Sequence, residues 1–351
     1  MTETIRITAP RGPSGEKDPN DFDLSGNVGL LLGEIAKQIK DHERETSERF
    51  PFLYPHEMEA DEEVEFAVDG WLEAGGIHLL YAKKDCLKSF LAVDWFLCIV
   101  SGKPWKGFAV QQGAGAYIAG EGNRGLRRRI KAWCIRNGAT MTELTFVSSK
   151  WPMQVLDTAD ISQWAAHLKE AEKTLGEPIR FVVIDTLATN FGPGDENSPT
   201  DMARFLAHLK IFLQSEFPGC TVLVVHHQGK DGTRGARGGS AIEANADSVH
   251  ALTRIAETDL QAVTLECKHI KDTERPPSMM LKGVAVELGT RDLHGFPLTS
   301  LVLEHRLDPA EQDILRLTKE GKSQRAIGEE VGKSHTIVRR VHHRLKAQKL
   351  L

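Results

Sequence analysis

The chain has no apolar run near the roughly 18 residues that a membrane-spanning helix needs, so no part of it reads as a membrane span. Its first residues, MTETIRITAPRGPSGEKDPNDF, lack the apolar core of a signal peptide. Cysteines are few: Cys86, Cys98, Cys134, Cys220 and Cys267 are scattered, odd in number and free of C-x-x-C spacing. That argues against a disulfide framework or a zinc site and for a cytoplasmic home. No repeat recurs at periods of about 20 to 50 residues, which excludes a solenoid. The apolar fraction of 40% and charged fraction of 26% over 351 residues leave room for one large globular domain or two smaller ones.

The most telling absence is local. Tyr81 to Phe90 reads YAKKDCLKSF, with Ala82 and Leu87 where a phosphate-binding loop, G-x-x-x-x-G-K-[ST], has its glycines. Lys88 and Ser89 are nevertheless in place, between the apolar run Ile77–Tyr81 and the helical pattern of Phe90, Leu91, Val93, Trp95, Phe96 and Ile99. A lysine there acts as a point charge on the β- and γ-phosphates, and the next hydroxyl ligates magnesium. The loop Ala82, Lys83, Lys84, Asp85, Cys86, Leu87, Lys88, Ser89 and Phe90 is thus a candidate cradle for ATP with Mg2+; a plain strand–turn–helix is the alternative.

From Asp69 onward, strands and helices alternate, which points to a mostly parallel sheet covered by helices, an α/β fold. Strands are expected at Ile77–Tyr81, Ala116–Ala119, Phe181–Ile184, Thr221–Val225, Ala262–Cys267 and Met280–Glu287. Helices are expected at Lys88–Ser101, Gly125–Arg136, Ile161–Leu175 and Thr200–Ser215. The organisation reads as an acidic, partly disordered N-terminal segment with one weak helix (1–65), an ATPase domain (66–305) and a basic all-α module (308–351).

Further elements have the order of an ATPase site. The strand FVVID ends in Asp185, in the position of a magnesium-site carboxylate, and AYIAGEG ends in Glu121, placed to polarise water. The strand VLVVHH ends in His226 and His227, where a γ-phosphate sensor would sit on the ligand side of the sheet. Next comes a glycine-rich cationic loop with Lys230, Arg234 and Arg237. It suits contacts to single-stranded DNA and an arginine reaching a neighbouring subunit's nucleotide; a solvated loop is the alternative. The last residues read as three short helices in a helix-turn-helix pattern. Ile337, Val338, Val341 and Leu345 face its core, and His335, Thr336, Arg339 and Arg340 face DNA. A small basic cap holding an oligomer together is the other reading.

Taken together, YAKKDCLKSFLAVDW, AYIAGEGNRGLRRRIKAW, FVVIDTLATNFGPGDENSPTDM and VVHHQGKDGTRGARGGSAIEANAD resemble the RepA-type hexameric replicative helicases of plasmids and phages, within the RecA-like AAA ATPases. The resemblance covers about Asp69 to Glu287. It implies an ATP-driven motor in DNA replication, a ring hexamer with nucleotide at subunit interfaces and single-stranded DNA in the central channel. By it, Lys88 contacts phosphate, Ser89 and Asp185 hold the metal, Glu121 activates water and His227 or His226 reports the γ-phosphate. Arg237 is the finger acting in trans, Lys230 and Arg234 lie on the DNA-facing loop, and Lys271 keeps one of two trans-acting lysines, the other being His269. Ala82 and Leu87 keep a second account open: a degenerate loop in a DNA-binding initiator or regulator, with nucleotide as an assembly switch or absent.

Overall fold

The computed structural model describes residues 64–120, 123–214, 216–228, 245–256, 258–348 and 350–351. They belong to one compact unit, Val64–Leu351, and the N-terminal segment read as 1–65 lies outside them up to residue 63. A small ribbon of β1 (Phe66–Val68) and β2 (Leu72–Glu73) leads into β3 (Ile77–Ala82), the phosphate loop and α1 (Lys88–Ser101). Then follow β4 (Ala114–Ala119), α2 (Asn123–Asn137), β5 (Phe146–Ser148), α3 (Thr158–Leu175), β6 (Ile179–Asp185), the short α4 (Leu187–Asn190), α5 (Pro199–Leu209) and β7 (Thr221–His227). The core closes with β8 (Ser248–Ala256), β9 (Asp259–Ile270), β10 (Met279–Arg291) and β11 (Pro297–Arg306). The helices α6 (Pro309–Lys319), α7 (Gln324–Val331) and α8 (His335–Ala347) complete the chain.

Nine strands form one sheet in the order β11-β10-β9-β8-β3-β7-β6-β4-β5. From β8 to β5 every pairing is parallel; β9, β10 and β11 extend the sheet antiparallel. The central parallel strands β3, β4, β6 and β7 are buried on both faces, β3 and β4 at every residue, so they read in the sequence as apolar runs. Alternate residues feed two cores: Leu80 and Ala82 join α1 and α2 on one face, whereas Ile77, Leu79 and Tyr81 join α3 and α5 on the other. This is the mostly parallel α/β sheet expected of a RecA-like P-loop fold.

Two groups of elements differ from expectation. The helix expected over Thr200–Ser215 ends its α-helical part at Leu209 and continues as a π-helical turn, Lys210–Gln214. β5, β8 and β11 were not anticipated. β5 is only three residues long, β8 is buried over Ser248–Leu252 and mostly exposed beyond them, and β11 at the sheet edge is partly exposed along most of its length. The last three helices have a core of their own, Ile314, Leu317, Ile327, Val338, Val341 and Leu345. Asp308, Ser323 and Ser334 cap their N-termini, and Gly332 takes the left-handed turn between α7 and α8. Among the described residues no helix is long and apolar enough to cross a membrane.

Candidate nucleotide site

The C-terminal ends of β3, β4, β6 and β7 lie along one edge of the sheet, where open α/β folds bind ligands. Register holds them together: Ala82 pairs with His227, Ala119 with Asp185, and Asp185 with Val225. A cavity of about 510 Å3 opens there, lined by residues 84–90 with Arg129 and His227.

The loop reaches its shape without the glycines. Asp85 (φ 60°) and Leu87 (φ 58°, the N-cap of α1) both stand in the left-handed region that glycine prefers. The turn into α1 is closed by backbone bonds, Phe90 N and Leu91 N both donating to Leu87 O at 3.0 Å. Leu87 is 9% exposed and belongs to the core that includes α1 and β10. Ala82 is buried at the strand end, Lys83, Lys84 and Asp85 are exposed, and Cys86 and Lys88 are buried. Lys88 lines the cavity at the foot of α1, whose N-terminal amides favour anions.

Ser89 and Asp185, expected as the metal pair, meet in space although 96 positions apart: Ser89 Oγ donates to Asp185 Oδ1 at 3.1 Å. Tyr117 on β4 donates its hydroxyl to Asp185 Oδ2 at 2.6 Å. Burial, then the charge of Asp185 and this hydrogen bond, push the Tyr117 phenol well above its ordinary range, so it remains a donor. Among the described residues no cluster of three or more His, Cys, Asp or Glu could hold a metal. A hydroxyl plus one carboxylate beside a phosphate cradle suits magnesium, which keeps several waters and is held partly by phosphate oxygens.

His227 lines the cavity and His226 is buried within the strand, so the structure separates the two histidines that the sequence left equivalent. Glu121 lies outside the described residues. The neighbouring strand end is closely packed: Gly120 N donates to Asp185 O at 2.7 Å, and a Cβ on Gly120 would fall 1.7 Å from Thr189 Oγ1. Only glycine fits there. Lys230, Arg234 and Arg237 are likewise outside the described residues.

One expected cation is placed elsewhere. Lys271 donates to Asp247 Oδ1 at 2.9 Å, and Asp247 Oδ2 accepts Ile77 N at 2.8 Å. Lys271 thus sits by the N-terminal end of β3, at the sheet edge opposite the phosphate loop, with its charge already matched within the chain. In α8, His335, Thr336, Arg339 and Arg340 are exposed and Val338, Val341 and Leu345 buried, as their spacing suggests. Arg340, however, is paired to Glu274 Oε2 at 3.0 Å.

Sequence reasoning missed two site residues. Tyr117 reads as an apolar strand residue until β4 is set beside β6. Arg129 reads as one of a run of arginines in RRRIKAW, yet it enters the cavity and lies 4.8 Å over the Phe90 ring. The helical offset of Arg129 from Leu126 and Ile130 carries no signal of this.

A family model described as an AAA domain (AAA_25) matches residues 43–233. Among solved structures, a KaiC-like protein from the hyperthermophilic archaeon Pyrococcus horikoshii OT3 is 13% identical, with a TM-score of 0.42, over 62% of this chain and 89% of that one. No curated protein matches.

Proposed function

The chain belongs to the AAA_25 family of AAA domains, and from that premise we propose that it is an ATP-dependent DNA helicase or translocase of RepA type, acting in plasmid or phage replication as a ring of like subunits. Family membership supports nucleotide binding and hydrolysis in general. The observation that carries the reading at the site is the Ser89–Asp185 contact beside buried Lys88, which sets the hydroxyl and carboxylate of the proposed metal site next to the phosphate-loop lysine.

In this reading Lys88 neutralises phosphate charge. Ser89 and Asp185 hold magnesium, and Tyr117 fixes the orientation of the Asp185 carboxylate. His227 faces the γ-phosphate end, and Arg129 with Phe90 forms a cationic–aromatic wall for the rest of the nucleotide. Bound magnesium supplies charge stabilisation to the transferring phosphoryl group. Glu121 activates water and Arg237 serves a neighbouring subunit's site, both by family resemblance. Lys230 and Arg234 contact single-stranded DNA, and α8 acts as the recognition helix of a helix-turn-helix binding duplex DNA through His335, Thr336 and Arg339. Arg340 would join them after exchanging Glu274 for phosphate.

Turnover of the full chain, with and without single-stranded DNA, tests this beside Lys88→Ala. Stimulated turnover lost in the variant is the expected result. A second reading, nucleotide as an assembly switch without turnover, is favoured by Ala82 and Leu87 in place of the loop's glycines. It predicts nucleotide-dependent assembly with no phosphate release from either protein.

A further inference from the structure

Helix α2 contains no acidic residue, and Arg124, Arg127, Arg128 and Lys131 fall at i, i+3, i+4 and i+7, a single stripe along its surface. Arg124, Arg127 and Arg128 are exposed and Lys131 is half-buried. Leu126, Ile130 and Trp133 form the buried face of the helix, so the stripe takes no part in its packing. Among the described residues the ion pair made by this helix is Arg136 with Glu304, in the last turn. Like charges at i, i+4 weaken a helix, and here two such pairs, Arg124 with Arg128 and Arg127 with Lys131, stand with no acidic residue on the helix itself. Arg129, between them in sequence, turns into the nucleotide cavity instead.

At the head of the stripe stands an exposed indole. Trp151 is 75% exposed, on the turn that follows β5. Asn123 Nδ2, at the start of α2, donates to Lys150 O at 3.2 Å, which ties that turn to the helix N-terminus. Lys150 is itself exposed. An open aromatic face beside a line of cations that have no ion-pair partner among the described residues matches a strand whose phosphates follow the cations and whose bases stack on the ring. In a duplex the base faces are already covered, so the indole selects for unpaired bases.

We propose that Trp151 with Arg124, Arg127, Arg128 and Lys131 forms a binding surface for single-stranded nucleic acid, separate from the nucleotide cavity and from α8. It goes beyond the motor reading, because strand binding here is required whether or not ATP is turned over. The experiment titrates full-length protein into a labelled oligothymidylate and a mixed-sequence duplex of equal length at several salt concentrations, reading anisotropy. Trp151→Ala is expected to weaken single-strand binding about 5- to 100-fold and leave duplex binding unchanged, with Trp151→Phe restoring most of the loss. The triple variant Arg124→Gln, Arg127→Gln, Arg128→Gln is expected to lower the magnitude of the single-strand slope of log K against log salt by about 2. Melting temperature and DNA-free ATP turnover serve as controls in both. Unchanged single-strand affinity and slope would overturn the proposal, as would absent binding by the unmodified protein. Equal losses on single strand and duplex in Trp151→Ala would leave charge alone and reject the stacking surface. A smaller species in sedimentation with unaltered strand binding would make this face a contact between copies of the chain, and would equally end it.

Discussion

Leu87 occupies the last position before the phosphate-loop lysine with φ 58°, a conformation that costs a side-chain-bearing residue about 1 kcal/mol. Its side chain offsets that cost. It is 9% exposed, and its Cδ1 lies 3.5 Å from where a Cβ on Gly283 of β10 would be. Burying a leucine is worth about 2 to 3 kcal/mol, so packing outweighs the backbone strain. Leu87→Gly should therefore free the loop for phosphate yet lower stability by about 1 to 3 kcal/mol. Urea unfolding beside nucleotide titration reads both, and a more stable variant would show that the side chain is not what holds the loop. The missing glycine was legible in the sequence; its compensation was not, because β10 lies almost two hundred positions away.

At the level of elements, α6 and α8 are fastened to the core by charge in a dry place. Arg344 of α8 pairs with Glu311 of α6, and the two are 2% and 3% exposed. Glu311 Oε2 also meets His305 Nε2 of β11 at 3.0 Å and accepts Asp308 N at 2.9 Å. Gln348 Nε2 donates to Lys106 O at 2.6 Å, and the Arg344 guanidinium lies 5.5 Å over Phe108. Lys106 in turn pairs with Asp94 on α1 at 2.9 Å. Burial lowers the Arg344 pKa to about 10, which still leaves it charged at neutral pH. Glu311→Gln would strand that charge, at a cost of about 3 to 5 kcal/mol. We expect faster tryptic cleavage around residues 306–309 with nucleotide binding retained. Cleavage at the unmodified rate would mean that the pair does not hold the helices down. Helix spacing made these three helices legible in advance, whereas their anchorage to the core was not, since isolated Arg and Glu codes carry no partner information.

At the scale of the whole molecule, three of the described histidines are held uncharged by burial. Burial lowers His78 to about 4, His250 to about 3, with the charge of His78 adding to the shift, and His305 to about 4, with Arg344 adding. Two of them form a chain: His78 Nε2–H donates to Glu73 O at 2.8 Å, leaving Nδ1 to accept from Ser248 Oγ at 2.7 Å. Ser248 Oγ then accepts from His250 Nε2–H at 2.6 Å. Each folded pKa lies below the unfolded value, so the unfolded chain takes up protons first on acidification. The stability these groups confer is complete above about pH 6.5 and is lost as pH falls toward 4. Between pH 7 and 5.5 the three together should remove about 4 kcal/mol from the unfolding free energy. Urea denaturation at the two pH values measures it; equal free energies would show that the histidines titrate normally.

The parallel strands β3, β4, β6 and β7, the helices over Lys88–Ser101 and near Gly125–Arg136, and the order of Lys88, Ser89, Asp185 and His227 were determined by the sequence itself. Buried strands need unbroken apolar runs, and phosphate chemistry needs particular groups at strand ends. What only the tertiary structure decided is which distant groups meet. It set Ser89 and Tyr117 on Asp185, turned Arg129 into the cavity, and tied Lys271 to Asp247 at the opposite edge. It also brought Arg340 to Glu274. Local pattern records which face of an element is buried, but contact between elements depends on sheet order and register, which no single segment encodes.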